Sequence, residues 1–79
     1  MDFKVYAIRS LTSNRIYVGQ TANFERRLDA HNAGRVKSTH KDCPWELLKM
    51  DSFDTRSEAR WFERQLKSSL GRRQKWLSQ

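Results

Sequence analysis

"FKVYAIRSLTSNRIYVG", residues 3–19, holds two alternating segments on either side of a polar centre. Residues 3–9 alternate, with Phe3, Val5 and Ala7 on one side and Lys4, Tyr6 and Ile8 on the other. Residues 15–19 continue the alternation, with Ile16 and Val18 opposed to Tyr17. Both segments are rich in β-branched and aromatic residues, which suit a pleated, half-buried surface. "SLTSN" between them is turn material. The stretch reads as a hairpin. A turn centred near Leu11–Thr12 places Tyr6 opposite Tyr17, so the two phenols are neighbours on one face. Val5, Ala7, Ile16 and Val18 then face the other way.

Outward from the hairpin, a helix is expected from about Asn23 to Ala33, with Asn23 as N-cap and Gly34 ending it. Residues 35–44, "RVKSTHKDCP", form a polar, basic loop, and Pro44 introduces a third strand over Trp45–Phe53. "TRSE", residues 55–58, is a capping box, with Thr55 at the N-cap and Glu58 three residues on. It opens a second helix to about Leu70, closed by Gly71. A last short helix, "RRQKWL", docks through Trp76 and Leu77. The order is β-β-α-β-α-α, an α+β fold with a small sheet flanked by helices.

A chain of 79 residues makes one small domain with a modest core. One cysteine, Cys43, forbids an internal disulfide. His31, His40 and Cys43 do not make a four-ligand zinc site. With no signal segment or apolar span and a free thiol, a reducing, cytoplasmic setting is expected and a membrane partner is not. The formal charge is +7. Residues up to Asp54 carry nine basic and seven acidic side chains, while Thr55 onward carries seven basic and two acidic. The last third is therefore a basic surface suited to phosphate backbones.

Two helices break their own patterns. In "NFERRLDAH", residues 23–31, the core-facing stripe is Phe24, Arg27, Leu28 and His31. In the second helix it is Ala59, Phe62, Glu63, Leu66 and Leu70, while Arg56, Arg60, Arg64 and Lys67 point outward. A carboxylate near a core needs a partner. One solution is structural: an Arg27–Glu63 ion pair at the core edge, with Tyr6 and Tyr17 as packing residues and His31 against the helix dipole. Trp61, on the polar side, then covers the third helix. The other solution is a cleft. There Glu63 holds a Mg²⁺ completed by water and phosphate oxygens. Arg27 binds the phosphate, and a tyrosine or His31 takes a proton from the attacking water. That set describes one-metal phosphodiester hydrolysis.

These residues resemble the GIY-YIG nuclease superfamily, named for two short strand motifs about ten residues apart. The motifs read here "VYA" (Val5–Tyr6–Ala7) and "YVG" (Tyr17–Val18–Gly19). "NFERRLDAHN" is similar to the family's first helix, with Arg27 at its catalytic arginine. "SEARWFERQLK" is similar to the helix carrying its metal-binding glutamate, here Glu63. "PWELLKMDSFDT" resembles the link between these helices in small stand-alone members. Val and Ala flank the first tyrosine where the family has Gly and Ile. Ser38 stands where small members often carry an aromatic.

The resemblance implies a three-stranded antiparallel sheet flanked by helices, with the active site on one sheet face. It implies a DNA endonuclease using one Mg²⁺ or Mn²⁺ at Glu63. Tyr6, Tyr17, Arg27 and His31 would complete the catalytic set, and Gly19 would be a motif position permitting close approach. Relatives with such modules include intron homing endonucleases, the excision-repair incision nuclease, restriction enzymes and branched-DNA resolving nucleases, so DNA repair is one expected setting. Lys37, Lys41, Arg64, Lys67, Arg72 and Arg73 are the expected contacts to DNA, with RNA also open. Many family nucleases add a DNA-binding domain. These 79 residues hold none, so specificity is expected from a homodimer or a protein partner. The alternative is a non-cleaving nucleic-acid-binding or repair-accessory module of the same fold.

Overall fold

The computed structural model describes residues 2–79. Strands β1 (Phe3–Ser10), β2 (Ile16–Thr21) and β3 (Trp45–Phe53) form one antiparallel sheet in the order β2-β1-β3. Helix α1 (Phe24–Asn32) follows β2, and α2 (Arg56–Ser68) and α3 (Leu70–Leu77) follow β3. A single 3₁₀ turn, His40–Asp42, interrupts the loop before β3, and the Cys43–Pro44 peptide is cis. This is the α+β architecture expected, and the β3 bounds are those read from the sequence.

The hairpin register differs from expectation. Tyr6 pairs with Gly19 and Ile8 with Tyr17. The turn is centred one residue later than assumed, which moves every partner by two and leaves faces unchanged. Ser10 sets that turn. Its buried hydroxyl accepts from the backbone N–H groups of Thr12 and Ser13 at 3.1 and 3.0 Å, and Asn14 takes the left-handed conformation at φ +63°. On the other side of β1, Ala7 faces Lys49 but Ile8 faces Leu47, so β3 bulges at Leu48.

The two sheet faces bury different sets. Val5, Ala7 and Val18 pack with Ala59 and Leu66 of α2 and Trp76 of α3. Tyr6, Ile8 and Trp45 pack with Tyr17 and with Phe24 and Leu28 of α1. The helix starts are capped as the sequence suggests. The Asn23 side chain accepts from Arg26 N–H, and the Thr55 side chain from Glu58 N–H. Gly34, at φ +74°, follows α1 in the left-handed conformation such a helix end requires.

The second helix is shorter than expected. It stops at Ser68, and Ser69 leaves helical geometry and caps α3, its side chain accepting from Arg72 N–H. Gly71 lies inside the first turn of α3 and closes nothing. Leu70 is consequently 58 % exposed and is not part of the inner stripe. Trp76 is buried as expected, and its indole N–H donates to Asp51 at 2.7 Å.

Candidate active site

Four of the five expected catalytic side chains meet on the α1 face of the sheet. Tyr6 comes from the middle strand and Tyr17 from its neighbour, with ring centroids 6.4 Å apart. His31, in the last turn of α1, lies 5.9 Å from the Tyr6 ring and 5.1 Å from the Tyr17 ring. Arg27, one turn earlier, lies beside both phenols. Gly19 explains how Tyr6 fits. A Cβ there would stand 2.6 Å from Tyr6 Oη and 2.8 Å from Cζ, so the phenol crosses β2 only because residue 19 has no side chain. The close approach expected at Gly19 is therefore that of Tyr6.

A buried chain of hydrogen bonds fixes His31. Tyr6 Oη lies 2.9 Å from Nε2, and Thr39 Oγ1 lies 2.7 Å from Nδ1. All three residues are fully buried. The Thr39 hydroxyl has the Val36 carbonyl at 3.4 Å as its own acceptor. Thr39 Oγ1 therefore accepts from Nδ1–H, which leaves the Nε2 lone pair to accept from the Tyr6 hydroxyl. Burial, and secondarily the Arg27 charge, push the His31 pKa down to about 4, so the ring is neutral near pH 7. Burial pushes the Tyr6 phenol up to about 12 in spite of Arg27 beside it. His31 is thus not a cationic partner of the helix dipole.

Thr39 was not legible as a site residue. It stands in a loop read as polar and basic, yet it is buried and its carbonyl accepts from the Trp45 indole N–H at 3.2 Å. Asn32, at the end of α1, accepts from Trp45 N–H at 2.6 Å and ties that helix to the start of β3.

Arg27 is half-buried, and its Nε, shielded from solvent, has no hydrogen-bond partner. The Tyr6 phenol oxygen raises its pKa against the opposing effect of burial. The Arg27–Glu63 ion pair of the structural alternative is not formed among the described residues. Glu63 pairs instead with Lys67, one turn along α2, at 2.7 Å. An i, i+4 partner needs no long-range contact, which is why it wins. Lys67 Nζ also sits 5.6 Å over the Tyr17 ring, and Glu63 is near enough to disfavour the Tyr6 phenolate. Glu63 therefore belongs to the same neighbourhood, although its side chain is only 16 % exposed.

The described residues contain no cluster of three or more acidic, His or Cys side chains able to hold a metal. A site here would have one protein ligand, Glu63. Its Oε2 is engaged by Lys67, and Oε1 makes no ion pair among the described residues. That donor set fits an ion such as Mg²⁺, which keeps most of its waters and takes substrate oxygens.

The expected nucleic-acid contacts do not form one stripe. Arg64 and Lys67 surround Glu63 together with Arg60. Lys37 and Lys41 are exposed on the loop before β3, Arg72 lines a groove between α2 and α3, and Arg73 is half-buried. Trp61 is 61 % exposed and so does not cover α3 as a packed side chain would.

The family model of the GIY-YIG catalytic domain matches residues 3–75. The chain belongs to the GIY-YIG family. It is 33 % identical over 79 residues to a UPF0213 protein of Haloquadratum walsbyi, covering 99 % of this chain and 89 % of that one. It is 40 % identical over 65 residues to the structure-specific endonuclease subunit slx1 of Aspergillus terreus, covering 73 % of this chain but 17 % of that protein. The solution structure of a UPF0213 protein from Bacillus halodurans superposes with a TM-score of 0.60 at 26 % identity, covering 99 % of this chain and 83 % of that one. The GIY-YIG domain described here is thus of nuclease type and resembles small stand-alone members. No helix among the described residues is long and apolar enough to cross a membrane.

Proposed function

We propose that this GIY-YIG domain is a divalent-metal-dependent endonuclease that hydrolyses DNA phosphodiester bonds. The observation that carries the reading is Arg27: a half-buried guanidinium whose Nε has no partner, beside two phenols and a neutral imidazole. A structural arginine is ordinarily satisfied within the fold. Arg27 leaves that one donor unsatisfied, and the Tyr6 and Tyr17 phenols beside its guanidinium orient it for an incoming phosphate oxygen.

The roles follow from exposure and hydrogen bonding. Arg27 binds a non-bridging phosphate oxygen and stabilises the charge that builds there during attack. Tyr6 is sealed from solvent and donates its proton to His31 Nε2, so it positions Arg27 and does not meet water. Tyr17 is half-buried and is the phenol open to the substrate side. In its phenolate form it orients the attacking water and accepts its proton to become the phenol, with Lys67 and Arg27 as the flanking cations. Glu63 would hold Mg²⁺ or Mn²⁺, which when bound neutralises phosphate charge and assists water ionisation. Arg64, Lys67, Lys37 and Lys41 would contact the phosphate backbone. A second copy or a protein partner would supply target choice, in a cytoplasmic, DNA-processing setting.

The Lys67–Glu63 pair favours a second reading, a non-cleaving DNA-binding or repair-accessory module in which an ammonium takes the place of the ion. Metal binding separates the two. Mn²⁺ should raise the melting temperature of the wild type and leave Glu63→Gln unchanged. No metal-dependent shift in either protein would favour the accessory module.

A further inference from the structure

The groove between α2 and α3 has no part in the site above. At about 100° per residue, Trp61 and Glu63 project from opposite sides of α2. Trp61 shares its side with Gln65, one turn along. These two, with Phe62, Arg72, Lys75 and Asp51, line an open groove of about 450 Å³.

The groove has one aromatic face and a polar edge. Trp61 is 61 % exposed, while Trp45 and Trp76 are buried at 3 % and 4 %. Arg72 donates to Gln65 Oε1 at 2.8 Å, which leaves the Gln65 amide N–H groups free to donate. Asp51 uses Oδ2 to accept the Trp76 indole N–H, leaving Oδ1 as an acceptor. Arg72 and Lys75 stand exposed on the rim, and among the described ion pairs neither has a carboxylate partner. An unpaired indole face, one donor, one acceptor and two free cations are the complement of a nucleotide: a π-face, a mixed polar edge and a phosphate.

We propose that this groove is a second nucleic-acid site that holds an unpaired nucleotide of the substrate strand. The base stacks on Trp61 and its edge meets Gln65 and Asp51. The flanking phosphate lies between Arg72 and Lys75. The proposal rests on the reading of the domain as acting on nucleic acid. It makes α2 the divider between a strand at Glu63 and an unstacked base on the far side, so substrates with a single-stranded flank bind better than uninterrupted duplex.

Because Trp61 is the exposed tryptophan, its fluorescence reports the groove directly. The test titrates the full chain with a short single-stranded oligonucleotide and with the same oligonucleotide made abasic at every position. Binding is followed by tryptophan quenching and by anisotropy of a labelled strand. Quenching by the base-containing strand is expected. Affinity should fall about tenfold or more in Trp61→Ala, hold in Trp61→Phe, and fall with the abasic strand. Arg72→Ala with Lys75→Ala should weaken both strands and lower the salt dependence.

Equal affinity for base-containing and abasic strands would overturn the proposal, since charge alone would then act. So would a Trp61→Ala variant that binds normally but changes from dimer to monomer by light scattering, which would make the groove a face for a second copy. Glu63→Gln keeps the two readings apart. Wild type that cuts DNA but binds base-containing and abasic strands alike rejects this site alone, and base-dependent binding by wild type and Glu63→Gln with no cleavage by wild type rejects the endonuclease alone.

Discussion

Tyr6 Oη lies 2.9 Å from His31 Nε2, and both side chains are fully buried. A buried hydroxyl that donates to a buried imidazole has no water to exchange with, so this pair fixes the Tyr6 ring against the last turn of α1 beside Arg27 and Tyr17. It holds the floor on which Arg27 and Tyr17 stand.

The pair separates the two tyrosines. Tyr6→Phe leaves His31 Nε2 buried and unpaired and should cost about 1–3 kcal/mol of stability. Tyr17→Phe should cost little stability but depress the cleavage rate at saturating DNA. Denaturant melts and single-turnover kinetics on both variants read this directly. If Tyr17→Phe cuts at the wild-type rate while a folded Tyr6→Phe is inactive, the roles are exchanged.

Protonation of His31 should be visible in stability. Its pKa falls from the ordinary 6.5 to about 4 on folding. Between these values the unfolded chain binds more protons, so stability falls as pH drops from 6.5 towards 4. The slope is at most about 1.4 kcal/mol per pH unit for this one group. The stability that the neutral, buried ring contributes is fully present above 6.5 and the slope vanishes there. Nuclear magnetic resonance should show His31 as the neutral Nδ1–H tautomer from pH 5 to 8. A His31 that titrates near 6.5 would contradict the buried chain.

Thr39 should act through His31. Thr39→Val keeps shape but removes the acceptor of Nδ1–H, freeing the ring to change tautomer. A loss of about 1–3 kcal/mol is expected. The Tyr6–His31 bond should weaken and cleavage fall, with His31 resonances of the Nε2–H form appearing. Thr39→Ser should restore both. Failure of Thr39→Ser to rescue would reduce Thr39 to a packing residue.

Gly19→Ala tests the motif glycine. The added Cβ meets Tyr6 Oη at 2.6 Å, so the phenol must leave its place. Overpacking of this kind costs about 1–3 kcal/mol. A crystal structure of the variant should show Tyr6 displaced from His31. An unmoved Tyr6 with wild-type stability would contradict the packing argument.

Local chemistry was legible in the sequence where one residue decided it. Asn23, Thr55 and Gly34 mark helix ends because a side-chain acceptor or a left-handed backbone is needed there, and strand alternation assigned each hairpin side chain to its face. What depended on several residues together was not. The Tyr6–Gly19 pairing follows from a turn organised by the buried Ser10 hydroxyl, which has no periodic signal. The break at Ser69 was hidden by Gly71, a stronger stop on paper than a serine cap that only tertiary packing reveals. Of the site, Arg27, His31 and Glu63 stood out as polar residues on apolar stripes. Their partners did not, since Lys67 competes locally for Glu63 and Thr39 enters from a loop.

Arg27 is the side chain whose removal should cost the most activity for the least stability. Its buried Nε satisfies nothing in the fold, so Arg27→Met should leave stability within about 1 kcal/mol of wild type or raise it. Cleavage should fall about 100- to 1,000-fold. A strongly destabilised Arg27→Met would mean that the guanidinium holds the fold together and is not held ready for phosphate.

A cleavage assay on supercoiled plasmid, single-stranded and branched DNA decides whether this domain cuts. Wild type is compared with Glu63→Ala in Mg²⁺, in Mn²⁺ and in EDTA. Wild type should cut in either metal and not in EDTA, and Glu63→Ala should not cut at all. Cutting that persists in EDTA or in Glu63→Ala would contradict the metal role of Glu63. DNA binding without cutting under every condition would contradict the endonuclease itself.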